Sequence, residues 1–168
     1  MTEEEYICGG ISGAITDPFS NEARKHAKIA YEAIRKSNTD IDNIANNTKY
    51  NRDQISLIKH YLFLNEHDLE NGRRRFDEDF YIAQSWHRLA FEPDNIQEHD
   101  LILLEHELNE MSLITQGYSQ REAHDMTNEK GLNYQKKCDE YYHIIEEKQH
   151  KSDINAGAVV YRKSRRKR

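Results

Sequence analysis

Two histidines and a glutamate are the residues of this chain whose types and spacing best suit chemistry. In Leu101-Ile-Leu-Leu-Glu-His-Glu-Leu-Asn-Glu-Met-Ser-Leu113, His106 and Glu110 stand four residues apart. On a helix advancing about 100° per residue they share one partly apolar face with Leu103 and Leu113. Leu101, Leu104, Leu108 and Met111 line up nearly opposite as a core stripe. A helix with two apolar faces is packed on both sides, and a charge-capable pair buried there is costly unless compensated. Gln116-Gly117-Tyr118 is expected to turn the chain into an αα-hairpin over about 100–128, with Ser119 and Glu122 as the capping box of the returning helix. Antiparallel pairing about that turn sets Glu110 opposite residue 125, within reach of His124. Two imidazoles and a carboxylate can hold a divalent metal, zinc or magnesium, or act as a general acid–base pair. His106-Glu-Leu-Asn-Glu110 is related to the HExxH string of zinc peptidases, where both histidines bind metal and the glutamate between them activates water, but its second ligand position is a glutamate. The competing expectation is a Glu110–His124 pair that only holds the hairpin together.

A second cluster lies upstream. His67 and Asp68 are followed by Arg73-Arg74-Arg75, a basic cluster inside an acidic body. Guanidinium groups bind phosphate in bidentate fashion, and His67 can move a proton or coordinate a metal. The alternative is an exposed loop whose arginines pair with neighbours such as Asp77 and Asp79. Arg88, beside Trp86 and His87, is expected as an anion ligand or a salt-bridge partner. The other six of the nine histidines, His26, His60, His87, His99, His143 and His150, are expected on helix surfaces or at caps, His26 on the polar side of its helix.

Stepping from site to scaffold, two prolines and seven glycines leave a long middle with few breakers, which favours helices. Asp17-Pro18 predicts the start of a helix over about 18–36, with Phe19, Ala23, Ala27, Ala30 and Ile34 on one face. Thr39 opens a short helix, and Asn51 with Gln54 forms a capping box for a third. A loop spans 65–75, Asp77 caps a fourth helix around Trp86, and a fifth runs from about Asp100 to Thr115. The sixth follows Ser119, and the last runs from Tyr134 to about Lys148. The expected fold is all-α, six or seven helices in one compact domain, with the αα-hairpin at its centre. Residues 1–16 are an irregular lead-in, 17–150 the helical domain and 151–168 a basic tail in which Ala158–Tyr161 could form a short strand.

Charge bears on partners. Six basic residues lie in Arg162–Arg168; without them 18 basic side chains face 30 acidic ones, a net of −12. Such a body repels nucleic acid at long range, although a local basic pocket can still engage it. Cys8 and Cys138 form no CxxC and read as free thiols in a reducing compartment. No apolar run approaches the roughly 18 residues that cross a bilayer, so no membrane partner is expected. The start, Met1-Thr-Glu-Glu-Glu-Tyr, has no basic, apolar signal-peptide pattern.

Residues 41–62 admit a helix-turn-helix reading, with Asn51, Arg52, Gln54 and Lys59 reaching bases or phosphates, but the turn has Lys49 where glycine is wanted. A different pointer comes from Ile58-Lys-His-Tyr-Leu-Phe63, His67-Asp-Leu, Arg75-Phe-Asp77, Ala83-Gln-Ser-Trp-His-Arg-Leu89, Asp100-Leu-Ile-Leu-Leu-Glu-His-Glu107 and Glu122-Ala-His124. Over about residues 10–145 this order resembles the module at the C-terminal end of phage minor-head morphogenesis proteins and of polymorphic toxins of Gram-positive bacteria. The resemblance implies an effector-like enzyme, with nuclease activity the commonest class, and motif positions at His67, Arg75, Trp86, His106, Glu107, Glu110 and His124. The chain is expected to be a stand-alone relative of the module or an excised piece, without the delivery or capsid region. The leading expectation is therefore a hydrolase acting on phosphodiesters, in the cytoplasm of a bacterial host or carried with a phage particle. His106, His124, Glu110 and His67 would be catalytic, and Arg73, Arg74, Arg75 and Arg88 would bind a nucleic-acid substrate. An immunity protein or a phage structural protein is the expected partner. The alternative is a non-catalytic module that binds protein within a virion or in regulation.

Overall fold

A computed structural model describes residue 15 and residues 17–155. The chain divides into two compact units, Met1–Tyr134 and Gln135–Arg168. The first contains α1 (Asn21–Lys36), α2 (Asp40–Asn47), α3 (Arg52–Lys59) running into a π-helical turn (His60–Leu64), strands β1 (His67–Leu69) and β2 (Gly72–Arg74), α4 (Phe80–Phe91), a 3₁₀ turn (Pro93–Asn95), α5 (Glu98–Thr115) and α6 (Gln120–Glu129). The second is described over 135–155, all of it in α7 (Tyr134–Asn155). The fold is all-α, with seven α-helices among the described residues and one small antiparallel ribbon. No helix among them is long and apolar enough to cross a membrane.

Local chemistry accounts for most boundaries. Asn51 and Gln54 close the expected capping box at α3, and Ser119 and Glu122 close theirs at α6. Gly117, at φ 102°, supplies the left-handed residue on which the α5–α6 hairpin turns. Three starts differ from expectation. Ser20, not Asp17, caps α1, because Asp17 Oδ1 is already accepting from Phe19 N in the turn before it. Asp79, not Asp77, caps α4, because Asp77 is held by Arg74. Gln97 and Asp100 box the start of α5, two residues earlier than expected.

The expected 65–75 loop is a hairpin in part. His67, Asp68 and Leu69 pair with Arg74, Arg73 and Gly72 respectively, and Gly72 turns the chain at φ 105°. Residues 151–155 continue α7 rather than starting the tail, while the strand at 158–161, Cys8 and nearly all of the lead-in lie outside the described residues. Cys138 is buried and forms no disulfide among the described residues.

The core of the first unit is aromatic. The Phe63 ring meets Tyr31 edge-on at 4.8 Å and Trp86 at 5.0 Å. Asp40 binds this core to its helices: one carboxylate oxygen accepts from Trp86 Nε1 at 2.9 Å, the other from Lys59 Nζ at 2.8 Å. Of the cations and amides that a DNA-contacting helix would need, Lys59 is therefore buried, Asn51 and Gln54 are spent on capping, and Arg52 holds Asp42 at 2.6 Å.

The histidines set aside as superficial are not all so. His26, His87 and His99 are buried. His26 turns inward because α1 packs on α4, where its ring meets Phe80 edge-on and its Nε2 accepts from the Gln84 amide at 3.2 Å. Burial, helped by the charge of His87, lowers its pKa from 6.5 to about 4. Between those values the unfolded chain binds a proton that the folded one refuses, so stability rises with pH across the window and is lost on acidification. Burial lowers His87 and His99 in the same direction. The free energy of urea unfolding is expected to fall from pH 6.5 to pH 4.5, and His26→Gln should make that slope shallower; an unchanged slope would contradict the burial account.

Candidate metal centre

The hairpin brings His106, Glu110 and His124 together. Glu110 Oε2 lies 3.1 Å from His106 Nε2 and 2.9 Å from His124 Nδ1, and the two nitrogens are 3.2 Å apart. One ligand atom from each residue falls within 4.8 Å of the others, so this group could hold a metal ion. An ion about 2.0–2.1 Å from each of three such atoms, with tetrahedral angles, needs them about 3.3 Å apart. The observed edges need to open by only a few tenths of an ångström.

His106 is anchored from its far side. His106 Nδ1 lies 2.7 Å from the carbonyl oxygen of Leu132, which can only accept, so Nδ1 carries a hydrogen. Nε2 then faces Glu110 Oε2, where it donates a hydrogen bond when it carries a hydrogen and offers a lone pair to a metal ion when it does not. Such backbone anchoring of the far nitrogen is a common support for a metal-binding histidine.

The other oxygen of Glu110 is held away from the histidines. Tyr61 Oη donates to Oε1 at 2.5 Å and Gln120 Nε2 donates to it at 2.9 Å, leaving Oε2 for the centre. Burial pushes the Glu110 carboxyl upward, but its bonds with His106, His124 and Tyr61 outweigh that and hold it below the usual carboxylate range. The bond to Glu110 raises the pKa of His124, against partial burial. Burial and the adjacent Glu110 charge keep Tyr61 a phenol. Glu107, next to His106 in sequence, is pushed well above the carboxylate range by burial and then by Glu110.

Glu107, Glu110 and His124 line a pocket of about 570 Å³. The β1–β2 ribbon, α5 and α6 all contribute residues to its lining. The face of α5 with Leu103, His106, Glu110 and Leu113 is buried, as its partly apolar pattern predicts. Of the expected core stripe only Leu104 is fully buried; Leu108 and Met111 are half-buried and Leu101 is 41% exposed.

Upstream residues sit elsewhere. His67 is not within the three-residue group: its Nε2 donates to the Tyr61 carbonyl at 2.7 Å, its ring stacks on Phe76 at 4.1 Å, and it meets the Tyr61 ring edge-on at 4.6 Å. It reaches the centre only through Tyr61. Arg73 meets Asp68 at 3.1 Å, Arg74 holds Asp77 at 2.6 and 3.3 Å, and Arg75 Nε donates to the Leu64 carbonyl at 3.1 Å. Arg88 is buried and grips Asp100 with two bonds of 2.7 and 2.8 Å, so it acts as the salt-bridge partner of the two roles foreseen for it.

No family model, curated protein or solved structure matches this chain.

Two supporting residues escaped the sequence reading. Gln120 was within reach of it, since it lies one helical turn before His124 and so on the same face. Tyr61 carries no local signal, because its aim depends on the π turn. There the backbone carbonyls of Tyr61, Phe63 and Leu64 accept from His67, Arg35 and Arg75 side chains, which compensates the widened helix. Tyr61→Phe removes one oxygen and little volume. It is expected to weaken divalent-metal binding about 10–100-fold while leaving the far-UV circular dichroism unchanged. Competition against a chromophoric chelator measures this, and equal affinity in both proteins would deny Tyr61 a supporting role.

Proposed function

We propose that this protein is a metal-dependent hydrolase whose ion is held by His106, Glu110 and His124. The observation that carries the proposal is the convergence of three ligand atoms, with near-tetrahedral spacing, two of them from residues (Glu110 and His124) that line a pocket large enough for a small molecule. Two imidazoles favour zinc over magnesium, which prefers oxygen ligands and keeps its water. Three protein ligands leave a coordination position for water, the pattern of catalytic rather than structural zinc. When bound, the metal would supply a hydroxide at neutral pH and polarise the bond under attack. Glu107 lines the same pocket and is the carboxyl group placed to exchange a proton with the reacting water or the leaving group. Water adds across the scissile bond, its oxygen to the electrophilic atom and a proton to the departing group, without another co-reactant.

The phosphodiesterase form of this proposal, in a phage-linked effector acting on nucleic acid, leans on the resemblance noted in the sequence. It draws little from Arg73, Arg74 and Arg75, which are engaged with carboxylates and a backbone carbonyl.

Dialysis against zinc followed by elemental analysis is expected to give about one ion per chain, lost in His106→Ala, Glu110→Ala and His124→Ala. Zinc-loaded protein should hydrolyse at least one of p-nitrophenyl acetate, bis(p-nitrophenyl) phosphate and RNA. Glu107→Gln should keep the zinc and lower that rate about 10²–10⁴-fold. Growth of a bacterial host expressing the intact chain or His106→Ala tests the effector setting. Absence of stoichiometric zinc, manganese or iron binding would overturn the proposal.

A further inference from the structure

The pocket beside the candidate metal centre has a lining of mixed character. Leu69 of the ribbon, Phe76 after it and Ile82 of α4 present half-buried apolar side chains to the space. Apolar surface lining a concave space gains free energy when an apolar ligand group displaces water from it. The same lining carries the ligand residues Glu110 and His124.

The rim does not invite an anion. Arg121 Nη1 meets Glu70 at 3.1 Å, and Arg74 is held by Asp77 through both carboxylate oxygens. Asp68 also lines the space, and Arg73 is paired with it. A phosphodiester entering here must break these pairs or lie beside Asp68 and Glu70, on a chain already carrying a net −12 outside its basic C-terminal run. A volume of about 570 Å³ lies in the range of small-molecule pockets rather than of a groove that tracks a polymer.

We infer that this site, taken as the hydrolytic centre proposed above, accepts a compact, uncharged ester or amide whose aromatic or branched apolar group lies against Leu69, Phe76 and Ile82. Hydrolysis places the water oxygen on the acyl carbon and a proton on the leaving oxygen or nitrogen, and nothing else is consumed.

Two hydroxamates test this, because they grip a metal through the same group and differ only in the apolar part. Zinc-loaded protein is titrated calorimetrically with acetohydroxamate, benzohydroxamate and a dinucleotide. Benzohydroxamate is expected to bind at least about tenfold more tightly than acetohydroxamate. Either Ile82→Asn or Leu69→Asn should shrink that ratio towards one while leaving acetohydroxamate affinity within a few fold; the wild-type ratio stands if a variant fails to fold. Equal affinity of the two hydroxamates in a zinc-loaded wild type, or tighter binding of the dinucleotide, overturns the substrate class alone. Failure to load any metal overturns the hydrolase proposal and this inference with it.

Discussion

Glu110 carries a carboxylate in the interior of an acidic protein, and much of the surrounding structure serves to neutralise it. Four side chains from three elements converge on its two oxygens: Tyr61 and Gln120 on one, His106 and His124 on the other. A buried anion without such partners would cost several kcal/mol or give up its charge. The same four bonds fix the π turn, α5 and the start of α6 against each other. The need to satisfy one charge therefore sets the geometry of the candidate centre.

The division of labour between the two oxygens has chemical consequences. Hydroxyl and amide donors saturate Oε1, so Oε2 is the atom left to face the imidazoles. His106 is oriented in turn by the Leu132 carbonyl, which determines the nitrogen that carries the hydrogen. Oε2 and the two imidazole nitrogens are thereby gathered within 3.2 Å of one another, a spacing that could hold a metal ion. A pocket adjoins this group, lined by Leu69, Phe76 and Ile82 and by the paired charges of Arg74 and Arg121.

The α5–α6 hairpin was legible from sequence because its signals are local. Gly117 marks the turn, Ser119 and Glu122 the cap, and antiparallel counting from the turn places His124 opposite Glu110. Both faces of α5 were expected to pack, and the face with His106 and Glu110 is buried accordingly; on the other stripe only Leu104 is fully buried, because periodicity does not say how far a neighbour covers each position. Periodicity misplaced His26, whose imidazole is accommodated by Phe80 and Gln84 on a helix distant in sequence. The Arg73–Arg75 cluster was visible as a charge run, but its engagement with Asp68, Asp77 and the Leu64 carbonyl follows from the ribbon and the turns beside it.

The sequence by itself determined the all-α class, most helix ends, the hairpin and the meeting of Glu110 with His124, because capping, turn chemistry and helical spacing act over a few residues. The tertiary structure alone decided that Tyr61 reaches Glu110 from a π turn, that Leu132 orients His106, and that a pocket opens beside them. It also decided that Arg88 spends its charge on Asp100 and that His67 supports Tyr61 rather than joining the centre. These contacts join residues far apart in the chain, and a partner's identity becomes definite only when packing places it within hydrogen-bonding distance.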